Sequence, residues 1–180
     1  MERILIYDTT LRDGMQREGM SLSVGEQFQV ALRLADLGVD VIEAGFPSSN
    51  PKDSELFDLL EHQDLGETRV AAFGMTRRRD TAPDQDPGLR IMVETFAPVA
   101  TIVGKTWDLH LQKVTKVSRE ENLRMIGESV AFLLAEGKDV FYDAEHFFDA
   151  YREHPDYALE CLRTAHGAGA SWVILCDTNG

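Results

Sequence analysis

The densest chemistry in this chain lies in Asp8-Thr9-Thr10-Leu11-Arg12-Asp13-Gly14-Met15-Gln16, directly after the apolar run Ile4-Leu5-Ile6. Arg12 beside Asp13 joins a fixed cation to a hard oxygen ligand. That pair suits a reaction in which a carbonyl oxygen gains negative charge near a divalent metal. Other reactive side chains repeat the placement. Glu43 follows a second apolar run, Lys105 and His110 a fourth, Asp143 and Glu145 a fifth, and Asp177 a sixth. One acid after a strand is an ordinary cap or loop residue. Recurring on the same side of nearly every strand, these residues read as a functional rim.

An alternation of strands and helices must position that rim. Strands are expected at Ile4–Tyr7, Val39–Ala44, Arg69–Phe73, Val99–Val103, Asp139–Tyr142 and Ser171–Cys176, the first of them buried. Ser23 and Glu26 form a capping box ahead of Phe28, Leu32 and Ala35, and Gly38 ends that helix. Asn50-Pro51 opens a second helix into Leu56, Phe57 and Leu60. Ser118 with Glu121 predicts another capping box, followed by the stripe Leu123, Ile126, Val130 and Leu133 and the stop Gly137. Pro155 opens a last helix through Leu159 and Leu162, and Thr76–Gly88 reads as a loop before a short helix.

Six strands in strict alternation with helices predict a parallel sheet. The fold class is α/β, a (β/α)8 TIM barrel truncated after about the sixth strand. Such a barrel has eight strands and typically about 250 residues. This chain has 180 and stops at Cys176-Asp177-Thr178-Asn179-Gly180, where a βα loop should begin. Residues 1–180 read as one domain, the N-terminal part of a catalytic barrel.

The net charge of −13 argues against non-specific nucleic-acid binding and against docking on an anionic membrane. No apolar run approaches the roughly 20 residues of a membrane span, and no signal peptide is visible. Cys161 and Cys176, the two cysteines, have no Cys-x-x-Cys spacing and read as buried thiols in a reducing compartment. A cytoplasmic location follows. Asp13 is the best metal candidate, because Mg2+ and Mn2+ prefer carboxylate and water oxygens. One carboxylate does not make a site, and the chain has no His-x-His pair.

Several features have bland readings. Arg77-Arg78-Arg79 has the charge to meet a phosphate or a coenzyme, but reads more simply as a solvated loop. His62, His154 and His166 read as surface residues, while His110 and His146 stand at strand ends, where function and packing are both open. Trp107 and Trp172 read as core or rim packing. Phe147-Phe148 suits either the wall of a small pocket or the gap between a loop and a helix.

Asp8–Gln16 resembles the signature of the acyl-CoA-condensing barrels that include isopropylmalate, homocitrate and citramalate synthases, within the DRE-TIM metallolyases. Val41-Ile42-Glu43-Ala44-Gly45-Phe46-Pro47 resembles their second-strand motif, and Cys176–Gly180 their sixth. Gly104–His110 and Tyr142–Phe148 look most like the citramalate synthase branch. The resemblance implies a metal-assisted Claisen condensation of acetyl-CoA with a 2-oxo acid, pyruvate first, in amino-acid (isoleucine) biosynthesis. It implies that Arg12 stabilises the keto oxygen under attack and that Asp13 binds the Mg2+ or Mn2+ chelated by the 2-oxo acid. Gln16 and Glu43 would line and order the metal-side pocket, Glu145 would polarise or position the reacting groups, and Thr178 would hold the substrate carboxylate. Asp143 stands where some relatives carry a hydroxyl residue, so no direct substrate contact is expected of it.

The family completes its metal site with a His-x-His pair on the seventh strand, and its full-length form is expected to be a homodimer. The 180 residues alone are expected to bind metal poorly and to be inactive. Rival readings are an isopropylmalate or homocitrate synthase, and a carbon–carbon lyase of the same superfamily. A third is a non-catalytic shortened paralogue that binds a full-length enzyme.

Overall fold

The computed structural model describes residues 3–180. Six parallel strands pair in chain order. They are β1 (Tyr7–Asp8), β2 (Val41–Gly45), β3 (Arg69–Met75), β4 (Val99–Lys105), β5 (Asp139–Glu145) and β6 (Trp172–Leu175). The crossovers hold α1 (Val24–Leu37), α2 (Pro51–Leu60), α3 (Pro87–Glu94), α4 (Arg119–Ala135), and the pair α5 (Phe147–Glu153) and α6 (Pro155–Gly167). A doubly wound sheet reverses its strand order at a switch point; a barrel wall does not.

The wall is curved. The Tyr7 hydroxyl in β1 lies 2.7 Å from Thr101 Oγ1 in β4, and the Tyr7 ring lies 5.8 Å from Phe141 in β5. In a flat sheet β1 and β5 would be about 19 Å apart. The architecture is therefore six consecutive units of a (β/α)8 barrel. The central strands are buried on both faces, as near-continuous apolar runs require. Val41, Ala71, Val99 and Phe141 face the interior, while Ile42, Val70, Ile102 and Val140 face the helices.

The local signals mostly act as their chemistry dictates. Ser23 and Glu26 make the reciprocal capping box, and Gly38 ends α1 at φ +83°. The predicted box at Ser118 is only half formed. Ser118 Oγ accepts from the Glu121 N–H, but the Glu121 carboxylate serves Arg77 and Arg124 instead. Gly45, at φ +154°, sits at an irregularity in the β2–β3 register and turns the chain toward Phe46. A Cβ at Gly104 would overlap the Tyr142 ring, which is wholly buried.

The first strand differs from its expected span. Leu5 and Tyr7 line the interior, but Ile4 is 88% exposed and Ile6 57%. Among the described residues β1 pairs only with β2, and the Asp40 carboxylate takes the Ile6 N–H at 2.8 Å, so the ladder starts late. At the other end β6 has only β5 beside it, and Trp172, Val173 and Leu175 are exposed. No helix of the described residues is long and apolar enough to cross a membrane.

Candidate active site

The turn after β1 is tight. The Arg12 and Gly14 N–H groups both donate to Thr9 O, at 3.1 and 3.0 Å, and Asp8 Oδ1 accepts from the Thr10 N–H at 2.9 Å. This turn sends Leu11 into the core and Arg12 over the barrel interior. The guanidinium is held from every side. Its Nε donates to Glu43 Oε2 at 2.5 Å, Nη1 to Asp13 Oδ1 at 3.2 Å, and Nη2 lies 3.7 Å from Asp143 Oδ2. Its plane rests 3.9 Å above the centre of the Phe73 ring. A cation fixed this way needs no reorganisation to meet a developing negative charge.

Glu43 lies behind Arg12 with no exposed surface, and its other oxygen accepts from the Tyr7 hydroxyl at 2.6 Å. Burial pushes its carboxyl above the usual range against the opposing pull of Arg12 and Tyr7. Asp143 is pushed up to about 7, first by burial and then by the nearby Glu43 charge. Its Oδ1 is buried without a hydrogen-bond partner. Three carboxylates thus crowd one guanidinium, and burial with like charge nearby favours the protonated form of Asp143.

A second group forms beyond it. Glu145 Oε2 accepts from Lys105 Nζ at 2.6 Å and lies 3.2 Å from His110 Nδ1. Burial alone would raise the Glu145 carboxyl, but Lys105 and His110 hold it below its usual value. The His110 and His146 rings meet edge to face at 4.7 Å, with Trp107 against both. His146, at φ +54°, turns the chain so that its N–H donates to Thr178 Oγ1 at 3.0 Å. That bond ties the loop after β6 to the loop after β5.

Arg12, Asp13, Gln16, Asp143, Glu145 and Thr178 line one cavity of about 590 Å³. Of the residues to which the resemblance gives roles, Glu43 alone stands outside its lining, and His110 of the wider rim is outside it too. Lys105 and His110 meet Glu145, which settles that His110 contacts a charged partner. The doubted Asp143 sits in the wall beside Arg12. Its signal was the strand's period of two, which puts Phe141, Asp143 and Glu145 on one face. Phe73, in register with Ala71 on the inner face of β3, had the same signal.

Other sequence readings change. Arg77 is buried, pairing with Glu121 at 2.9 Å and Glu128 at 2.6 Å, rather than lying in a solvated loop. Cys161 is buried, but Cys176 is only half-buried and lines the cavity, where burial pushes its thiol up to about 12. Phe147 fills the core, while Phe148 stays exposed.

Among the described residues no three His, Cys, Asp or Glu side chains are placed to hold a metal ion. Asp13 is largely exposed, and among the described residues its carboxylate pairs only with Arg12, through Oδ1, which leaves Oδ2 at the cavity mouth. The described donors do not make a metal site by themselves.

A family profile described as HMGL-like matches residues 3–180. The chain belongs to that family. It is 45% identical to an (R)-citramalate synthase of Geobacter sulfurreducens over all of its 180 residues, which cover 34% of that relative. It is 38% identical to a 2-isopropylmalate synthase of Synechococcus sp. (strain WH7803), with 99% of this chain matched and 32% of that one. The chain thus spans about a third of the length of the curated relatives it matches. Among solved structures, an HMG-CoA lyase of Bacillus subtilis superposes at a TM-score of 0.77 with 17% identity, covering 99% of this chain and 59% of that one. At that identity the likeness concerns the fold.

Proposed function

We propose that these residues belong to an acyltransferase that condenses acetyl-CoA with a 2-oxo acid, pyruvate before others, giving citramalate. The observation that carries the reading is the Arg12 guanidinium, fixed by Glu43, Asp13 and Phe73 over a cavity that also holds Glu145 and Thr178. The preference for pyruvate is supported by identity. Relatives named (R)-citramalate synthase are 43–47% identical, and those named 2-isopropylmalate synthase 36–38%.

In this reading a base removes a proton from the acetyl methyl group, and the resulting carbon attacks the keto carbon of the 2-oxo acid. The alkoxide takes up a proton, and water then cleaves the thioester to free coenzyme A and citramalate. The keto oxygen gains negative charge, and Arg12 receives it. Such preorganised donors contribute about 3–4 kcal/mol each. Glu43 keeps the guanidinium in place, and Gln16 closes the wall beside it. Thr178 holds the substrate carboxylate. Glu145, kept ionised by Lys105 and His110, positions the acetyl group and its proton. Asp13 would give one oxygen to a Mg2+ or Mn2+ ion, which supplies polarisation of the keto group when bound; its other ligands would come from outside the described residues. Residues 1–180 are read as part of one catalytic barrel domain, cytoplasmic and homodimeric in the full-length enzyme.

The test is release of free coenzyme A from acetyl-CoA by the natural protein that carries this segment. Pyruvate should elicit at least tenfold more turnover than 2-oxoisovalerate. Faster turnover of the branched acid would replace the reading with an isopropylmalate synthase. Cleavage of a 3-hydroxy-3-methylglutaryl thioester without condensation would replace it with a lyase.

A further inference from the structure

We propose that a groove between the loops after β3 and β4 seats the phosphates of coenzyme A, gripped by Arg78 and Arg79. This rests on acetyl-CoA being the acyl donor, and it adds where the polyanionic end of that donor binds. A cavity of about 270 Å³ opens beside the active-site cavity, and Phe46, Met75, Val103 and Lys105 line both. A thioester over Arg12 would therefore have an adjoining channel for its arm, with apolar walls in Phe46, Met75, Val103 and Met125.

The charges around this second cavity are sorted. Arg77 is consumed by Glu121 and Glu128. Asp86 spends both oxygens on backbone N–H groups, Oδ2 on Arg78 at 2.8 Å and Oδ1 on Gly88 and Leu89 at 2.9 and 3.2 Å. What remains is cationic. The exposed Arg78 side chain pairs with no carboxylate among the described residues, and Arg79 meets only the exposed Asp80. Arg79 Nη1 also donates to Lys116 O at 3.1 Å, which draws the loop after β4, with exposed Lys113 and Lys116, toward the same rim. In a chain of net charge −13, this local reversal of sign faces a cavity that shares a wall with the catalytic one. Coenzyme A has the matching form, with a diphosphate and a 3′-phosphate at one end and the thiol at the end of a flexible arm. Guanidinium groups suit phosphate oxygens through their paired donors.

The test is titration calorimetry of the natural protein with coenzyme A, with pantetheine and with inorganic phosphate. Replacing both arginines (Arg78→Ala with Arg79→Ala) should weaken coenzyme A about tenfold or more, by less at high salt, while pantetheine binding and the thermal midpoint stay put. Arg78→Gln alone, in an exposed position, should show a smaller loss in the same direction. If parent and both variants bind coenzyme A within twofold, the subsite is overturned while acyl transfer stands. If the parent binds no coenzyme A, subsite and donor assignment fall together. Inorganic phosphate bound as tightly as coenzyme A would make this a free-phosphate site and overturn the proposal.

Discussion

Arg12 and Arg77 are the same residue type at the same end of the barrel, each following a strand and each gripped by carboxylates. Their partners differ in origin. Those of Arg77, Glu121 and Glu128, both come from α4, seven residues apart on one helix face, and its own N–H is taken by Ser129 of the same helix. The side chain staples one helix to the end of one strand. The partners of Arg12 come from the loop after β1, from β2 and from β5, and its ring neighbour comes from β3. Four separate units of the wall converge on one cation. A staple needs two surfaces; convergence of this kind is what a reacting group requires.

The contrast can be broken or sharpened by substitution. Arg12→Lys should cut turnover about a thousandfold with little change in metal or coenzyme binding, because an ammonium cannot reproduce the fork. Turnover within tenfold of the parent would remove the proposed role. Glu145→Gln should keep the fold by circular dichroism and lose about a hundredfold in turnover; full activity would make it a structural residue. Arg77→Ala should do the reverse. It should cost about 2–3 kcal/mol in denaturant unfolding, less than a fully buried pair because Glu128 is half exposed. Turnover per folded molecule should stay within twofold.

The smallest effect concerns Asp143. Its folded carboxyl titrates near 7, above the ordinary value of an unfolded aspartate. Between about pH 4 and 7 the folded state therefore binds the extra proton, and stability falls as pH rises through that window. Asp143→Asn should flatten this slope, leaving the part due to Glu43, and raise stability at pH 8 by about 2 kcal/mol. An unchanged slope in thermal melts across that range would show that Asp143 is ionised throughout.

Much of the architecture was legible because its signals are local. The short apolar runs, Ser23 with Glu26, Asn50-Pro51 and the stops at Gly38 and Gly137 each act within a few residues, so all six strands and the long helices could be read. The rim at the strand ends follows from the same arithmetic. Long-range pairing was not legible. Nothing near Arg77 shows that two acids some fifty residues away share a helix face turned toward it, so a basic run looked solvated. The same pairing took Glu121 from the expected capping box. Ile4 and Ile6 looked buried because apolar runs report what a strand can bury, whereas burial depends on having a neighbour on each side.

The packing of Trp107 against His110 and His146 has an optical consequence. The chain has two tryptophans, and the other, Trp172, is about half exposed on β6. Within residues 1–180 a Trp172→Phe variant would leave one indole, 5.4 Å from one imidazole and 5.3 Å from the other. Indole emission follows the packing around the ring, so the fluorescence of that variant reports in real time on rearrangement of the imidazole pair beside Glu145, with no label attached.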